Sequence, residues 1–589
     1  MNLTRTFDLI PFQLSHSPNA KAINVKVGEG WKSYSTQELE KQLKTYAHFL
    51  IEQGIGKGDF ILLLPKAATL PFVLLDLAAQ RLGITVVLVH STTKTEQLGN
   101  IVDQTQAKAI FLQDEMLVER YRDTWGDIPY FQIGGSGSQR FHTTLSGFST
   151  PETSDESYPS IHEEDLSTII YTSGTKGIPK GVMLSHKNIM ANVTAMAPLL
   201  PLKPSDRVIS FLPYSHVLER TALYTYLCLG LEIYLIEEPK ELAKHLYGVR
   251  PHLFTAVPRI LEQMYKVALV AKTEKKFLGK YLLNWAFRHG TKYKEKKGLD
   301  PSKWIKMLLF RTLIFRRFRR AIGGKLKCIV VGAAHMNPAI SRTFALGGIP
   351  IREGYGMTET SPVVTVNRMK PGLNAYGTVG LPLPGVRIKI DQPNEEGVGE
   401  ILVKGPNVMR GYFKEPEATQ QVLTADGWLH TGDMGHFVKK RFLQITDRKK
   451  DIFKTSAGKY IAPQLVEAHF RESRFIDQLL VIGFKRPFLS ALILPNFAAL
   501  AEWAEEEGVH WTSPLYMVLN IKVKDQLQQE INELNQDLPG HERIQEFHLL
   551  HEPWTQESGL LSHTLKPIRP LILGQYEKEI EQMYQEGRQ

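Results

Sequence analysis

The chain has 589 residues and a mass of 66.8 kDa, too long for one ordinary domain and long enough to bury sizeable cores. Its hydrophobic share of 43% and charged share of 22% exclude collagen-like, coiled-coil and largely disordered classes. The formal net charge of +10 comes from one block: residues 271–327 hold 18 Lys or Arg against three acids, while the remainder balances at −5.

From the N-terminus, MNLTRTFDLIPFQL lacks the basic start and apolar core of a secretory signal. Residues from about 35 to 135 alternate a helical pattern, LEKQLKTYAHFLIEQG (39–54), with apolar strands such as FILLLP (60–65) and TVVLVH (85–90), which predicts an α/β unit with parallel pairing. Lys66, Asp76 and Arg81 interrupt the apolar run 62–88, and the run 221–236 is short and carries Glu232. Neither offers the roughly 20 clean apolar residues that cross a bilayer. Cys228 and Cys328 stand far apart, without the spacing of a disulfide framework or a cysteine zinc site, which fits a reducing compartment and predicts a cytoplasmic protein. Residues 152–165, with six acids and no Lys or Arg, read as an exposed connection.

From 166 to about 360, strands recur between helices: LSTIIYT, VISFLP, LEIYLI, CIVVG and IPIREGYG. The basic block interrupts this series. Its segment KWIKMLLFRTLIFRRFRR (303–320), drawn as a helix, gathers Trp304, Met307, Leu308, Phe310, Ile314, Phe315 and Phe318 on one arc and Lys306, Arg316, Arg317, Arg319 and Arg320 on the other. Such a segment either lies on anionic lipid, at the cytoplasmic face of a membrane, or packs on its own domain with its charges solvated. No nucleic-acid motif accompanies the charge, so no nucleic-acid partner is expected. Between 376 and 446 the pattern changes to short Gly- and Pro-punctuated strands, such as GVRIKI, GEILVKG and RFLQITD, which predict a small β-rich subdomain. Beyond about 450, LLVIGF (479–484) and LSALILP (489–495) flank a turn, followed by a helix with Asn496 as cap and Gly508 as stop.

The segment YTSGTKGIPKG (171–181) follows a strand and packs three glycines, three Ser or Thr hydroxyls and two lysines into eleven residues. Glycines let backbone N–H groups converge on an anion, hydroxyls donate to its oxygens, and Lys176 and Lys180 offset its charge, so a phosphate site is the natural use. No G-x-x-x-x-G-K-[ST] string is present here, which disfavours P-loop chemistry.

This segment resembles the signature loop of the adenylate-forming superfamily, which includes acyl-CoA synthetases, luciferases and adenylation domains, and further matches follow in family order. FLPYSHVLER (211–220) resembles the segment after that loop, VVGAAHMNP (330–338) the adenine-side turn, EGYGMTET (353–360) the aromatic-Gly-x-Thr-Glu motif, and HTGDMG (430–435) the ribose-binding aspartate motif. TDRKKDIFKTSAGKYIAP (446–463) is similar to the inter-domain hinge and LSHTLKPIRP (561–570) to the C-terminal lysine motif, so the likeness runs over about 12–570. The S-H-V-x-E-R string, the form of the hinge and the basic insertion near 271–327 resemble long-chain fatty acyl-CoA synthetases in particular. Lys176 departs from the family, which more often has Thr there.

The resemblance implies an α/β fold: a large N-terminal domain (1–447) of two αβα subdomains plus a small β-rich subdomain, and a smaller mobile α+β C-terminal domain (448–589). It implies a ligase whose partners are a fatty acid, ATP with Mg²⁺, and CoA, passing through an acyl adenylate. Thr172, Ser173, Gly174, Thr175, Lys176, Gly177 and Lys180 would hold the β- and γ-phosphates; Thr172 and Glu359 would ligate Mg²⁺; Thr358 would touch the α-phosphate. Gly332, Ala333 and Ala334 would approach adenine, with Tyr355 and Gly356 against the base, while Asp433 and Arg448 would fix the ribose. Lys566 would serve the first half-reaction. Lys450 would be the hinge that exchanges Lys566 for a CoA-side loop carrying Lys454, Gly458 and Lys459, and His216 would gate the acyl channel, with Tyr214, Leu218 and Val257 as further candidates for its wall. Two alternatives remain at this point: a fatty acyl-AMP ligase serving a carrier protein, and a non-catalytic lipid-binding protein on the same scaffold. Oligomeric state is left open.

Overall fold

The computed structural model describes residues 3–133, 158–172, 179–270, 308, 315–456, 459–556, 558–561 and 566–586. Two large sheets dominate the described residues. The first runs, in spatial order, Gly411–Tyr412, Lys180–Ser185, Leu166–Thr172, Thr85–Leu88, Phe60–Leu64, Ala109–Leu112 and Tyr130–Gln132. Its last five strands are parallel, and Lys180–Ser185 folds back antiparallel on Leu166–Thr172. Strands such as Thr85–Leu88 and Ala109–Leu112 are buried along their whole length, which is why they read as continuous apolar runs.

The second sheet runs Leu381–Pro382, Val363–Val366, Ile351–Gly356, Cys328–Val331, Leu253–Ala256, Arg207–Ser210, Glu232–Leu235, Ile23–Val27 and Gly30–Tyr34. The two sheets exchange strands relative to the chain. The N-terminal hairpin Ile23–Tyr34 joins the second sheet through parallel pairing with Glu232–Leu235. The strand Leu166–Thr172, grouped by the sequence with the later unit, belongs to the first: it pairs with Thr85–Leu88, and Thr168 Oγ1 donates to the Val86 carbonyl at 2.6 Å.

Helix Thr36–Glu52 starts at a capping box in which Ser35 Oγ accepts from the Glu38 N–H and the Glu38 carboxylate accepts from the Ser35 N–H. Its Leu39, Leu43, Tyr46, Ala47 and Leu50 are buried, and the helix packs on Leu70–Arg81. Helix Leu70–Arg81 is buried nearly all round, Asp76 and Gln80 included, so its polar groups must find partners inside the protein. Asp76 Oδ2 accepts from the Tyr214 and Tyr224 hydroxyls at 2.6 and 2.5 Å and from Arg220 Nε at 2.8 Å. Its Oδ1 accepts from Arg220 Nη2 at 2.5 Å and Gln80 Nε2 at 2.8 Å. Gln80 Oε1 in turn accepts from Thr6 Oγ1 at 2.5 Å and from Ser167 Oγ.

A four-stranded antiparallel sheet, in the order Arg387–Asp391, Gly399–Lys404, Leu429–Val438, Phe442–Arg448, forms the β-rich subdomain. Beyond it, Ile476–Ile482, Leu489–Pro495 and Ile544–Leu549 make a three-stranded sheet with a hydrophobic cluster on each face. Asn496 caps helix Phe497–Glu506, its Oδ1 accepting from the Ala499 N–H. The molecule is thus α/β with a large N-terminal part and a smaller C-terminal one.

Of the amphipathic basic segment, Leu308 and helix Phe315–Ala321 are described. Phe315 is buried in the core of the second sheet, its ring against Phe318 and Phe344, while Arg316 and Arg320 are exposed. This end of the segment packs on its own domain. Residues 271–307 lie outside the described part. Among the described residues no helix is long and apolar enough to cross a membrane.

Candidate active site

The hairpin that carries the glycine-rich loop sets the first wall. Thr172 and Lys180 face each other across its two strands; Ser173, Gly174, Thr175, Lys176 and Gly177 lie between them, outside the described residues. Lys180 Nζ sits 4.8 Å from the ring centre of Tyr412, and the Tyr412 hydroxyl donates to Glu359 Oε1 at 2.9 Å. Tyr412 reaches this point because Gly411–Tyr412 pairs antiparallel with Lys180–Ser185. Glu359 is buried on the short turn Thr358–Thr360, and burial raises its carboxyl above the usual range, opposed by the Tyr412 hydrogen bond. Thr358 is partly buried beside it.

That turn follows the strand Ile351–Gly356, whose end is fixed by a close approach. A Cβ added at Gly356 would stand 1.8 Å from the Pro362 carbonyl oxygen, so only glycine fits. One residue earlier, the buried Tyr355 directs its hydroxyl to Asp433 Oδ2 at 2.7 Å. Asp433 pairs across the β-subdomain with Arg448, whose Nε lies 3.6 Å from Asp433 Oδ1. The Arg448 side chain is 48% exposed and faces solvent, while that of Asp433 is 14% exposed and largely buried beside Tyr355. Gly332, Ala333 and Ala334 follow the strand Cys328–Val331, and Ala333 holds a left-handed φ of +73°, turning the chain toward Asn337.

Lys566 enters this group from the C-terminal part. It is partly buried, and burial lowers its ammonium to about 8; the Arg448 guanidinium adds to that shift, while Asp433 and Asp451 oppose it. The chain therefore brings Lys566, Asp433, Arg448 and Tyr355 into one electrostatic neighbourhood. Lys450 is exposed, two residues after Arg448. Lys454 and Lys459 stand exposed on the hairpin that contains Phe453–Lys454 and Tyr460–Ile461, Lys454 Nζ lying 4.4 Å from the Tyr460 ring centre; Gly458 is outside the described residues.

His216 is partly buried at the start of helix Val217–Cys228, its ring 5.7 Å from that of His90. Tyr214, a candidate for the acyl wall on sequence, is instead fully buried and spends its hydroxyl on Asp76, while Leu218 and Val257 pack on the core of the second sheet. The acid and base of the S-H-V-L-E-R string are likewise internal: Arg220 pairs with Asp76, and Glu219 accepts from Ser210 Oγ, with burial lifting its carboxyl to about 8. Tyr412, His90 and Asn337 were missed by sequence reasoning. Only Asn337 had a local signal, as a cap before Pro338 and the helix Pro338–Leu346.

Residues 12–413 match the AMP-binding enzyme family, and residues 450–588 match the AMP-binding enzyme C-terminal domain. This chain belongs to the AMP-binding enzyme family. Among curated proteins, this AMP-binding enzyme is 30% identical to long chain acyl-CoA synthetase 7, peroxisomal, of Arabidopsis thaliana, over 95% of its own length and 82% of the relative's. It is 28% identical to the long-chain-fatty-acid–CoA ligase FadD15 of Mycobacterium bovis, over 94% and 92%. Among solved structures, it superposes on the adenylation domain of a carboxylate reductase from Mycobacterium chelonae with a TM-score of 0.77 and 22% identity, over 99% of this chain and 91% of that one. Asp433 and Arg448 lie between the two matched regions of this AMP-binding enzyme, and both act on the charge of Lys566 in the second.

Proposed function

We propose that the protein is an AMP-forming long-chain fatty acid:CoA ligase, with the domain boundary at 447/448. The carrying observation is that Lys566, in the C-terminal matched region, lies within electrostatic reach of Asp433 and Arg448, while Tyr355, in the first matched region, donates to the same Asp433. In this reading a fatty carboxylate oxygen attacks the α-phosphorus of ATP, the bond to the β-phosphate oxygen breaks, and pyrophosphate leaves. The CoA sulfur then attacks the acyl carbon and AMP departs, with the thiol proton lost to solvent.

Asp433 is the ribose acceptor: an ionised carboxylate can take both hydroxyl protons, and Tyr355 and Arg448 hold it in place. Gly332, Ala333 and Ala334 bring backbone to the base. The loop 173–177, with Thr172 and Lys180, grips the leaving pyrophosphate. Lys566 places its ammonium against charge that accumulates on the α-phosphate and acyl oxygens. Thr358 orients the same phosphate.

Glu359 and the Thr172 hydroxyl are the residues that would hold Mg²⁺. Their oxygens suit a hard cation, and a buried carboxyl with one oxygen committed to Tyr412 is stabilised by added positive charge. No group of three or more His, Cys, Asp or Glu suited to a metal exists among the described residues, so phosphate oxygens would complete the shell. Mg²⁺ bound there neutralises triphosphate charge. Contact with anionic lipid, where it occurs, runs through charge at Arg316 and Arg320 rather than through the inward-facing Phe315.

Incubation with ATP, Mg²⁺, CoA and a panel of C2 to C20 acids is expected to yield AMP, pyrophosphate and acyl-CoA in equal amounts, with long chains preferred. ADP as product, or AMP release that does not depend on added acid, overturns the reading.

A further inference from the structure

Lys566 is useful only where the C-terminal part holds it, and two sets of contacts determine that placement. Helix Pro258–Val270 of the large part carries Glu262, and helix Pro463–Phe470 of the small part ends beside Arg471; Arg471 Nη1 meets Glu262 Oε1 at 3.3 Å. Neither side chain is freely exposed, at 28% for Arg471 and 12% for Glu262, so the pair is partly desolvated and less screened than a surface pair. The second set starts at Asn337, three residues beyond Ala334. Its Oδ1 accepts from the Ala339 N–H, capping helix Pro338–Leu346. Its Nδ2 is left to donate across the boundary, to the Ala468 carbonyl at 3.0 Å and to Glu472 Oε1 at 2.9 Å.

Ala468, Arg471 and Glu472 lie within one helical end, so the two sets grip the same turn from two sides. Arg471 is also near enough to Lys566 to bear on its charge, and it acts on the partly buried His335 next to the adenine-side turn. From these contacts we infer that Glu262 with Arg471, and Asn337 with Ala468 and Glu472, form a latch whose role is to position Lys566 over the nucleotide for adenylate formation. The latch residues touch no reacting atom; they are positioning residues, and the inference rests on the adenylation reading above. Misplacing a reacting group by about 1 Å costs on the order of 100-fold, which sets the size of effect to seek.

The test uses the full-length protein and separates the half-reactions. Arg471→Met and Glu262→Gln are expected to slow fatty-acid-dependent pyrophosphate–ATP exchange about 10- to 100-fold through kcat, with KM for ATP little changed. Thioester formation from supplied acyl adenylate and CoA should stay within about twofold of the parent. Arg471→Lys should restore most of the exchange rate. Asn337→Ser, which keeps a capping oxygen but removes the donated N–H, should show the same split more weakly. Equal loss in both half-reactions, or no loss in either, overturns the latch. Lys566→Ala serves as the reference: if it leaves exchange intact, the adenylation reading itself fails, whereas loss in Lys566→Ala with full exchange in the latch variants refutes the latch alone.

Discussion

Two aspartate–arginine pairs in this protein differ in how fully their carboxylates are occupied. Asp76 and Arg220 are enclosed, with side chains 0% and 2% exposed, and both carboxylate oxygens are filled by Arg220, Tyr214, Tyr224 and Gln80. Asp433 and Arg448 sit 3.6 Å apart with Arg448 half exposed and Asp433 largely buried, joined by Tyr355, with room on the carboxylate for further donors. The first pair arises because a helix buried all round carries an acid that must be satisfied on the spot. The second is half-satisfied by its own chain. Saturation marks a structural charge and spare acceptor capacity marks one available to a ligand, although both look alike in composition.

The comparison predicts opposite phenotypes. Arg220→Met leaves the Asp76 carboxylate buried and unpaired, and should lower stability by about 3–5 kcal/mol, read as a shift of the urea midpoint. Adding Asp76→Leu should recover much of that loss, because removing both charges removes the penalty. A cost of under about 1 kcal/mol for Arg220→Met would break the contrast. Asp433→Asn should move the same midpoint by less than about 1 kcal/mol, because the amide keeps an acceptor for Tyr355 and the half-exposed Arg448 can turn to solvent. It should instead slow adenylate formation about 10- to 100-fold, since hydrogen bonds to a charged group are worth roughly 1.5–3 kcal/mol each. A large stability loss with intact adenylation would reverse the assignment of the two pairs.

The same contrast explains how far the sequence could be read. Regular elements such as Thr36–Glu52, Phe60–Leu64 and Leu489–Pro495 were legible because burial imposes its period on neighbouring residues. The residues proposed for the nucleotide site were legible where they stand in short contiguous strings, as Tyr355 to Glu359 and Gly432 to Met434 do. What links one string to another was not. Arg220 and Asp76 are 144 positions apart, Arg471 and Glu262 are 209 apart, and Tyr412 reaches Glu359 through strand pairing that no local pattern announces. Arg220 and Glu219 stand in a string that resembles long-chain fatty acyl-CoA synthetases, and their burial shows that both are internal. The exchange of strands between the two sheets was hidden for the same reason: Leu166–Thr172 reads identically beside either partner.

Lys566 sharpens the comparison by its titration. Its ammonium is lowered to about 8 by burial first and Arg448 second, with Asp433 and Asp451 working the other way. The protonated form is the one that can stabilise negative charge, so the active state dominates below that value and is lost as pH rises through it. Because kcat/KM reports ionisations of the free enzyme, kcat/KM for ATP in pyrophosphate exchange should fall on an alkaline limb with an apparent pKa near 8. Arg448→Met should move that limb upward, as one source of repulsion is gone, although the proposed ribose site loses a residue at the same time. Asp433→Asn should move it downward by removing an attraction. Lys566→Arg should abolish the limb, since a guanidinium stays charged throughout the range, even if the longer side chain lowers the plateau. An alkaline limb that persists unchanged in Lys566→Arg would assign it to another group and separate Lys566 from the chemistry, whereas opposite displacements in the Arg448 and Asp433 variants would tie the three side chains together in solution.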